Sequence, residues 1–268
     1  MTFGIIGGDQ RQKELAKLLE NEETKVLSFL VENGENLGKE RITEAQILIL
    51  PLPLSDGRGN LNTSCGSFPL EELFAAMNSG QRILAGKVTD EERRLAEKYG
   101  LQIEDYFLRE ELTVANAAIT ADCALKLGVE RCGSNLKKVL VLGFGRIGKF
   151  LCHRLQKNGV EVWAAARKPE DRAWMYGYGY NWMDIRQIGE KISGFDLIFN
   201  TVPSLILNEE TIKYLRCDVI DLASVPCMTS EHSCYIPARG LPGKMAARQA
   251  AEAIRNTVYH ILEEQRGE

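Results

Sequence analysis

Histidine is scarce in this chain. Its 268 residues contain three, His153, His232 and His260, each far from the others. No H-E-x-x-H motif occurs, and no Ser, His and Asp follow one another in a nucleophile-triad order. Seven cysteines, at 65, 123, 132, 152, 217, 227 and 234, form no C-x-x-C pair. That excludes a zinc ribbon and a dithiol redox motif, and the thiols read as reduced, small apolar groups. No metal site is expected. Basic runs are also missing, and the net charge is only −4, so nucleic acid is excluded as a partner. The longest apolar run, Ile47 to Leu54, holds two prolines and is too short for a bilayer. The N-terminus reaches Asp9 without a signal-peptide pattern. The expectation is a cytoplasmic protein with no membrane segment.

What is present is an alternation of strand and helix patterns. The first hundred residues predict strands at Thr2–Ile6, Lys25–Val31, Ile47–Leu50 and Arg82–Leu84, with helices at Gln10–Leu19, Pro69–Asn78 and Asp90–Tyr99. Leu101 to Glu104 reads as extended. Such alternation requires parallel strands with right-handed crossovers. A helical pattern then runs from Arg109 to Leu127 and stops at Gly128. Strands follow at Val139–Leu142, Val160–Ala166, Asp196–Asn200 and Val219–Leu222, and one long helix at Lys244–Glu263.

The predicted fold is α/β: two doubly wound lobes with a cleft between them, a crossing helix and a returning C-terminal helix. The expected parts are a flavodoxin-like substrate domain at 1–112, a Rossmann domain at 113–242 with the crossing helix at 113–127, and the returning helix at 243–268.

The strongest local signal is Gly143-Phe144-Gly145-Arg146-Ile147-Gly148, entered by a Val-Leu-Val-Leu strand and left by an amphipathic run. Glycine-rich turns are common, but this order of strand, turn and helix is that of a dinucleotide site. About 20 residues further on, an NAD site places an acid for the ribose 2′-hydroxyl. Here Arg167 and Lys168 stand instead, and Glu161 lies at the wrong end of the strand. The cations favour NADP over NAD; a solvated basic turn is the bland alternative. Two later strand ends, Asn200-Thr201-Val202-Pro203 and Ala223-Ser224, are expected at the nicotinamide side. The run Trp174 to Trp182, aromatic at alternate positions, reads as an extended segment for packing or a subunit contact, with adenine stacking as an alternative. His153 and His260 fall on helices as structural residues, and His232 is the candidate proton acceptor.

Four segments carry a resemblance: Gly7-Gly8-Asp9-x-Arg11, Pro51-Leu-Pro53-Leu-Ser-Asp-Gly57, Asn116-Ala-Ala-Ile-Thr120-Ala121 and Ala238-Arg239-Gly-Leu-Pro242-Gly-Lys244. Over its full length the chain resembles the dipicolinate synthase A-subunit family of endospore-forming bacteria. The resemblance implies an NADP-dependent oxidoreductase of the sporulating mother cell, paired with a flavoprotein B subunit. Together they would convert a dihydrodipicolinate-type intermediate of the lysine pathway into pyridine-2,6-dicarboxylate. It also implies a dicarboxylate contacted by Gly8, Asp9, Arg11, Pro51, Asn116, Thr120, Arg239 and Lys244. A homo-oligomer stays open. So do two other readings: a 2-hydroxyacid or amino-acid dehydrogenase, and a non-catalytic NADP-binding regulatory subunit.

Overall fold

The computed structural model describes residues 1–32, 38–229 and 232–264. They divide into two compact units. One is Met1–Asn116 together with the chain from Ala246 onward, and the other is Ala117–Met245.

The first unit runs β1 (Thr2–Ile6), α1 (Gln10–Leu19), β2 (Lys25–Phe29), β3 (Ile47–Ile49), α2 (Leu70–Ala75), β4 (Arg82–Ala85), α3 (Asp90–Lys98) and β5 (Ile103–Asp105). Its strands are parallel, in the order β2-β1-β3-β4-β5. Parallel strands are covered on both faces, which is why they read as short apolar runs. β2 ends two residues before the expected Val31 because Leu30 takes a left-handed conformation, φ 54°. A capping box between Thr89 and Glu92 starts α3.

Next comes α4 (Glu110–Cys132), which does not stop at Gly128. That glycine faces the second sheet, where a Cβ would stand 2.7 Å from the Phe199 ring and 2.9 Å from Leu197. It is a packing residue, not a stop. By length and composition α4 could cross a bilayer, with a mean hydropathy of 1.3. Its ion pairs, Asp122 with Arg154 and Arg131 with Asp218, and its glycine contact make it a packing helix of the protein.

The second unit continues with β6 (Lys138–Leu142), α5 (Arg146–Lys157), β7 (Glu161–Ala166), α6 (Pro169–Gly177), β8 (Asn181–Asp184), β9 (Leu197–Asn200), α7 (Glu209–Ile212), β10 (Asp218–Asp221), β11 (Tyr235–Pro237) and α8 (Leu241–Met245). These strands are also all parallel, in the order β11-β10-β9-β6-β7-β8. Counted from β6 that is the 3-2-1-4-5-6 order of a doubly wound nucleotide-binding sheet, reversing between β6 and β9. The first sheet reverses between β1 and β3.

The aromatic run is not an extended segment. Its first half lies on α6, where Trp174 stacks at 5.7 Å on Tyr178, the residue that caps the helix one turn further on. Its second half turns into β8. The expected single C-terminal helix is two pieces, α8 and α9 (Ala247–Glu264), with Ala246 between them accepting the Ala250 N–H at 3.0 Å. α9 returns to the first unit. Its apolar stripe of Ala251, Ile254, Val258 and Ile261 joins Phe3, Leu15 and Leu19 in one core.

Candidate functional site

At the reversal point of the second sheet the three motif glycines do three different things. Gly143 takes φ 94°, and a Cβ there would meet Thr201 and, at 2.7 Å, Val202. Gly148 lies against the Gly143 carbonyl, with no room for a Cβ between helix and strand. Gly145 faces open space, with nothing within 4 Å of its Cβ position. It starts α5 without a side-chain cap, and no acid stands in the helix's first turn. The N–H groups of Ile147 and Gly148, in the first turn, have no acceptor within the helix. A close approach at Gly145, free amides and the helix dipole together make a cradle for a diphosphate. Phe144 turns its ring inward, buried edge-on against Tyr180 at 6.1 Å, so only its backbone can serve a ligand.

The edge beside this turn is basic. β7 lies next to β6, and its end releases the exposed Arg167 and Lys168, neither of which forms an ion pair among the described residues. Arg172 on α6 and Arg186 after β8 add two cations that sequence reasoning missed. Asp184, the buried acid between them, is spent on both, at 3.5 and 2.6 Å. Hydrogen bonds from Arg186 hold its carboxyl far below the usual range. Glu170 and Asp171 lie in the first turn of α6, where they favour the helix dipole.

On the other side of the reversal point, Asn200 is fully buried at the end of β9. Its amide donates to Val202 O at 3.0 Å and to Asp221 at 2.7 Å, while its oxygen accepts from Val202 N. The side chain expected at a ribose therefore shapes the turn, in which Thr201 and Val202 are half-buried against Gly143 and Pro203 is exposed. Thr201 fixes that turn to β6 through Leu142 O, 2.9 Å from its hydroxyl. One strand further on, Ala223 is buried and Ser224 exposed. Arg239, just past β11, donates from Nε to Ala223 O at 3.1 Å. Its two terminal nitrogens have no protein partner among the described residues. Lys244 is exposed on α8.

His232 does not belong to this edge. The Val219 N–H donates to Cys234 O, which puts Cys234 and its neighbours at the amino end of β10. A four-residue strand, about 10 Å, separates that end from Asp221. The imidazole lies 2.9 Å from the Cys234 sulfur, exposed and away from the glycine turn. As a proton acceptor for a ligand at the carboxyl ends it is misplaced.

The equivalent edge of the first sheet is built around Gly7 and Gly8, both with positive φ. Asp9 caps α1 and takes the Arg11 guanidinium at 2.8 and 2.9 Å. Burial opposes its ionisation, but the Arg11 hydrogen bonds and charge outweigh it, and the carboxyl sits below its ordinary range. Arg11 also donates to Leu52 O at 2.6 Å and is itself largely covered. Expected as a cation open to substrate, it is instead tied to the chain that forms the edge. Pro51 is buried, and Leu50 O accepts from Tyr106 Oη and Gln12 Nε2. Asn116 and the buried Thr120 share one face of α4, a turn apart, and both are engaged within the protein.

The family of N-terminal domains from the dipicolinate synthase A subunit matches residues 2–107. The N-terminal part of the chain is thus similar to the N-terminal domain of dipicolinate synthase A subunits. Similarity to that family extends beyond the matched domain. The dipicolinate synthase A subunit of Bacillus subtilis (strain 168) is 23% identical, over 98% of this chain and 96% of its own length. The crystal structure of the Bacillus subtilis protein superposes with a TM-score of 0.83, covering 100% of this chain and 98% of that one at 22% identity. That of the Bacillus halodurans A subunit gives 0.84, at 21% identity and 97% coverage of both chains. The fold is also that of a transhydrogenase from Sinorhizobium meliloti, at a TM-score of 0.72 and 14% identity over 99% of this chain and 94% of that one.

Proposed function

We propose that this chain is an NADP-dependent oxidoreductase subunit that oxidises a dihydrodipicolinate-type ring to pyridine-2,6-dicarboxylate, in company with a flavoprotein B subunit. The observation that carries the cofactor is the open Gly145 flanked by two glycines that no side chain could replace. The basic β7 edge supports NADP. Arg167 and Lys168 would hold the 2′-phosphate, where an acid would repel it. The substrate and the partner are supported by the family alone, whose relatives are named as the A subunits of dipicolinate synthase.

Bound NADP⁺ would accept a hydride from the dihydro ring, and loss of one proton completes the aromatic product. The chain's own task is then chiefly positioning. The turns at Thr201–Pro203 and Ala223–Ser224 present backbone groups and short polar side chains beside the glycine turn. The free edge of Arg239 matches a carboxylate in fork geometry, with Lys244 as a second cation. At the first sheet's edge, the backbone after Gly8 and the Asp9–Arg11 pair are proposed as a further substrate contact of that unit, and Asn116 and Thr120 as polar contacts on α4. His232 at the far edge leaves proton loss to solvent, which aromatisation makes easy.

The same misplacement of His232 favours, as a second reading, a subunit that binds NADP but turns over only with its partner. The test uses the full chain. NADPH and NADH are titrated by fluorescence, and turnover is followed by NADPH absorbance with and without the flavoprotein. Tight NADPH binding with product formed by the chain alone supports the proposal. Turnover only with the partner present favours the second reading. Absence of NADPH binding overturns both.

A further inference from the structure

A carboxylate in the second unit is left unexplained by the cofactor cradle. Asp221 ends β10, is fully buried, and has no cation within ion-pair distance among the described residues. Such a charge costs several kcal/mol to bury unless hydrogen bonds replace its water. Four donors do so. Oδ1 accepts from Asn200 Nδ2 at 2.7 Å and from Ala223 N at 3.1 Å. Oδ2 accepts from Cys227 N at 2.8 Å and from Tyr235 Oη at 3.0 Å. The Asp221 backbone carbonyl takes a fifth, from Ala238 N at 2.8 Å.

These donors come from three separate stretches: the end of β9, the turn after β10, and β11 with the residue that follows it. Asn200 fixes Thr201–Pro203. Ala223 carries the carbonyl that holds Arg239 Nε, and Ala238 is the residue before Arg239. The two backbone positions that set Arg239, Ala223 and Ala238, are therefore each hydrogen-bonded to Asp221. Replacing buried charged groups by apolar side chains of similar volume is often neutral for stability. A fully satisfied polar hub, by contrast, fixes one geometry.

We propose that Asp221, with Tyr235 as its hydroxyl donor, is the positioning residue that aims the free fork of Arg239 at an anionic ligand. The identity of that ligand as the pyridine dicarboxylate rests on the function proposed above; the positioning does not. An asparagine at 221 would turn its amide nitrogen toward two donors, breaking one side of the hub. A phenylalanine at 235 would remove one donor of four and keep the packing.

The test uses the isotopically labelled full chain with NADP. The Arg239 Nε–H resonance is assigned by its loss in Arg239→Lys, and its exchange protection is read in Asp221→Asn and Tyr235→Phe. Affinity for pyridine-2,6-dicarboxylate is measured by calorimetry on the same proteins and on the Asp221→Asn/Arg239→Lys double variant. The expected result is loss of protection in Asp221→Asn and a partial loss in Tyr235→Phe. Dicarboxylate affinity should fall about ten-fold in Asp221→Asn and in Arg239→Lys, with the double variant no weaker than Arg239→Lys alone. An Arg239 signal unchanged in both hub variants, or additive losses in the double variant, overturns the inference. Should Asp221→Asn fail to fold, unchanged protection in Tyr235→Phe alone overturns it. Loss of protection alongside a wild-type chain that binds no dicarboxylate upholds the positioning and overturns the proposed substrate.

Discussion

Gly148 packs against Gly143 so closely that a Cβ at 148 would run into the carbonyl oxygen of 143. The contact joins the first turn of α5 to the end of β6, and it sets where the free amides of that turn point. Gly148→Ala must separate helix from strand. Overpacking of this kind costs about 1–3 kcal/mol. NADPH affinity is expected to drop on the order of ten-fold, together with a lower melting temperature. Fluorescence titration and a thermal melt on the same sample read both, and unchanged NADPH affinity would show that the cradle lies elsewhere.

Arg167 and Lys168 stand without an ion-pair partner among the described residues at the end of β7, so neither needs to be released from a protein carboxylate before gripping a phosphate. Arg167→Asp is expected to weaken NADPH by about ten-fold or more, through lost attraction and added repulsion. NADH affinity should hold or improve. A variant that lowers both affinities equally contradicts the assignment of these cations to the 2′-phosphate.

The Asp9–Arg11 pair makes stability depend on acid pH. The folded-state pKa of Asp9 lies below the ordinary 3.8, so the pair's contribution is complete above about that pH. It is lost as pH falls further, through the folded value. Asp9 keeps 45% of its side-chain surface in solvent, which screens the pair and keeps the effect modest. Asp9→Asn retains a good cap for α1 while unpairing Arg11. Denaturant melts of both proteins should show a stability gap at about pH 6 that narrows toward about pH 3. A gap that stays constant across that range would refute the account.

Gly128 makes a comparable prediction on α4. Gly128→Leu would drive a side chain into Phe199 and Leu197 and destabilise the protein by about 1–3 kcal/mol, despite leucine's better helix propensity. Val129, next along the helix and 49% exposed, provides the control. Val129→Ala should stay within about 0.5 kcal/mol of wild type. Chemical denaturation of the two variants decides the matter.

The legible parts of this chain are those set by local backbone. Gly145 and Gly148 can be assigned separate tasks from sequence because each task is fixed within the turn, as is the positive φ of Gly143. The parallel strands announce themselves as apolar runs. Gly128 misleads because its role depends on Phe199, some seventy residues away and in another element. Trp174 to Trp182 misleads because alternate spacing and a helix followed by a turn place aromatics equally well. β8 and β11 are short edge strands whose sequences carry little alternation. His232 looks close to the cofactor because it follows a cofactor-side strand, but the loop in between crosses to the other end of the sheet. Asp221 is invisible for a different reason: its partners Asn200 and Tyr235 lie far apart in sequence. An acid inside Val-Ile-Asp-Leu, matched by Asn200 at the end of the adjacent strand, is the one available signal.

The return of α9 to the first unit has a consequence for how the chain is made. Phe3, Leu15 and Leu19 leave the ribosome long before part of their covering, Ile254, Val258 and Ile261, is synthesised. The early unit must wait with an oily face uncovered while all of Ala117–Met245 emerges. The family match at residues 2–107 thus marks an evolutionary segment that is not a complete folding body. Expressed alone, that segment would present its unfilled helix seat to whatever apolar surface it met first.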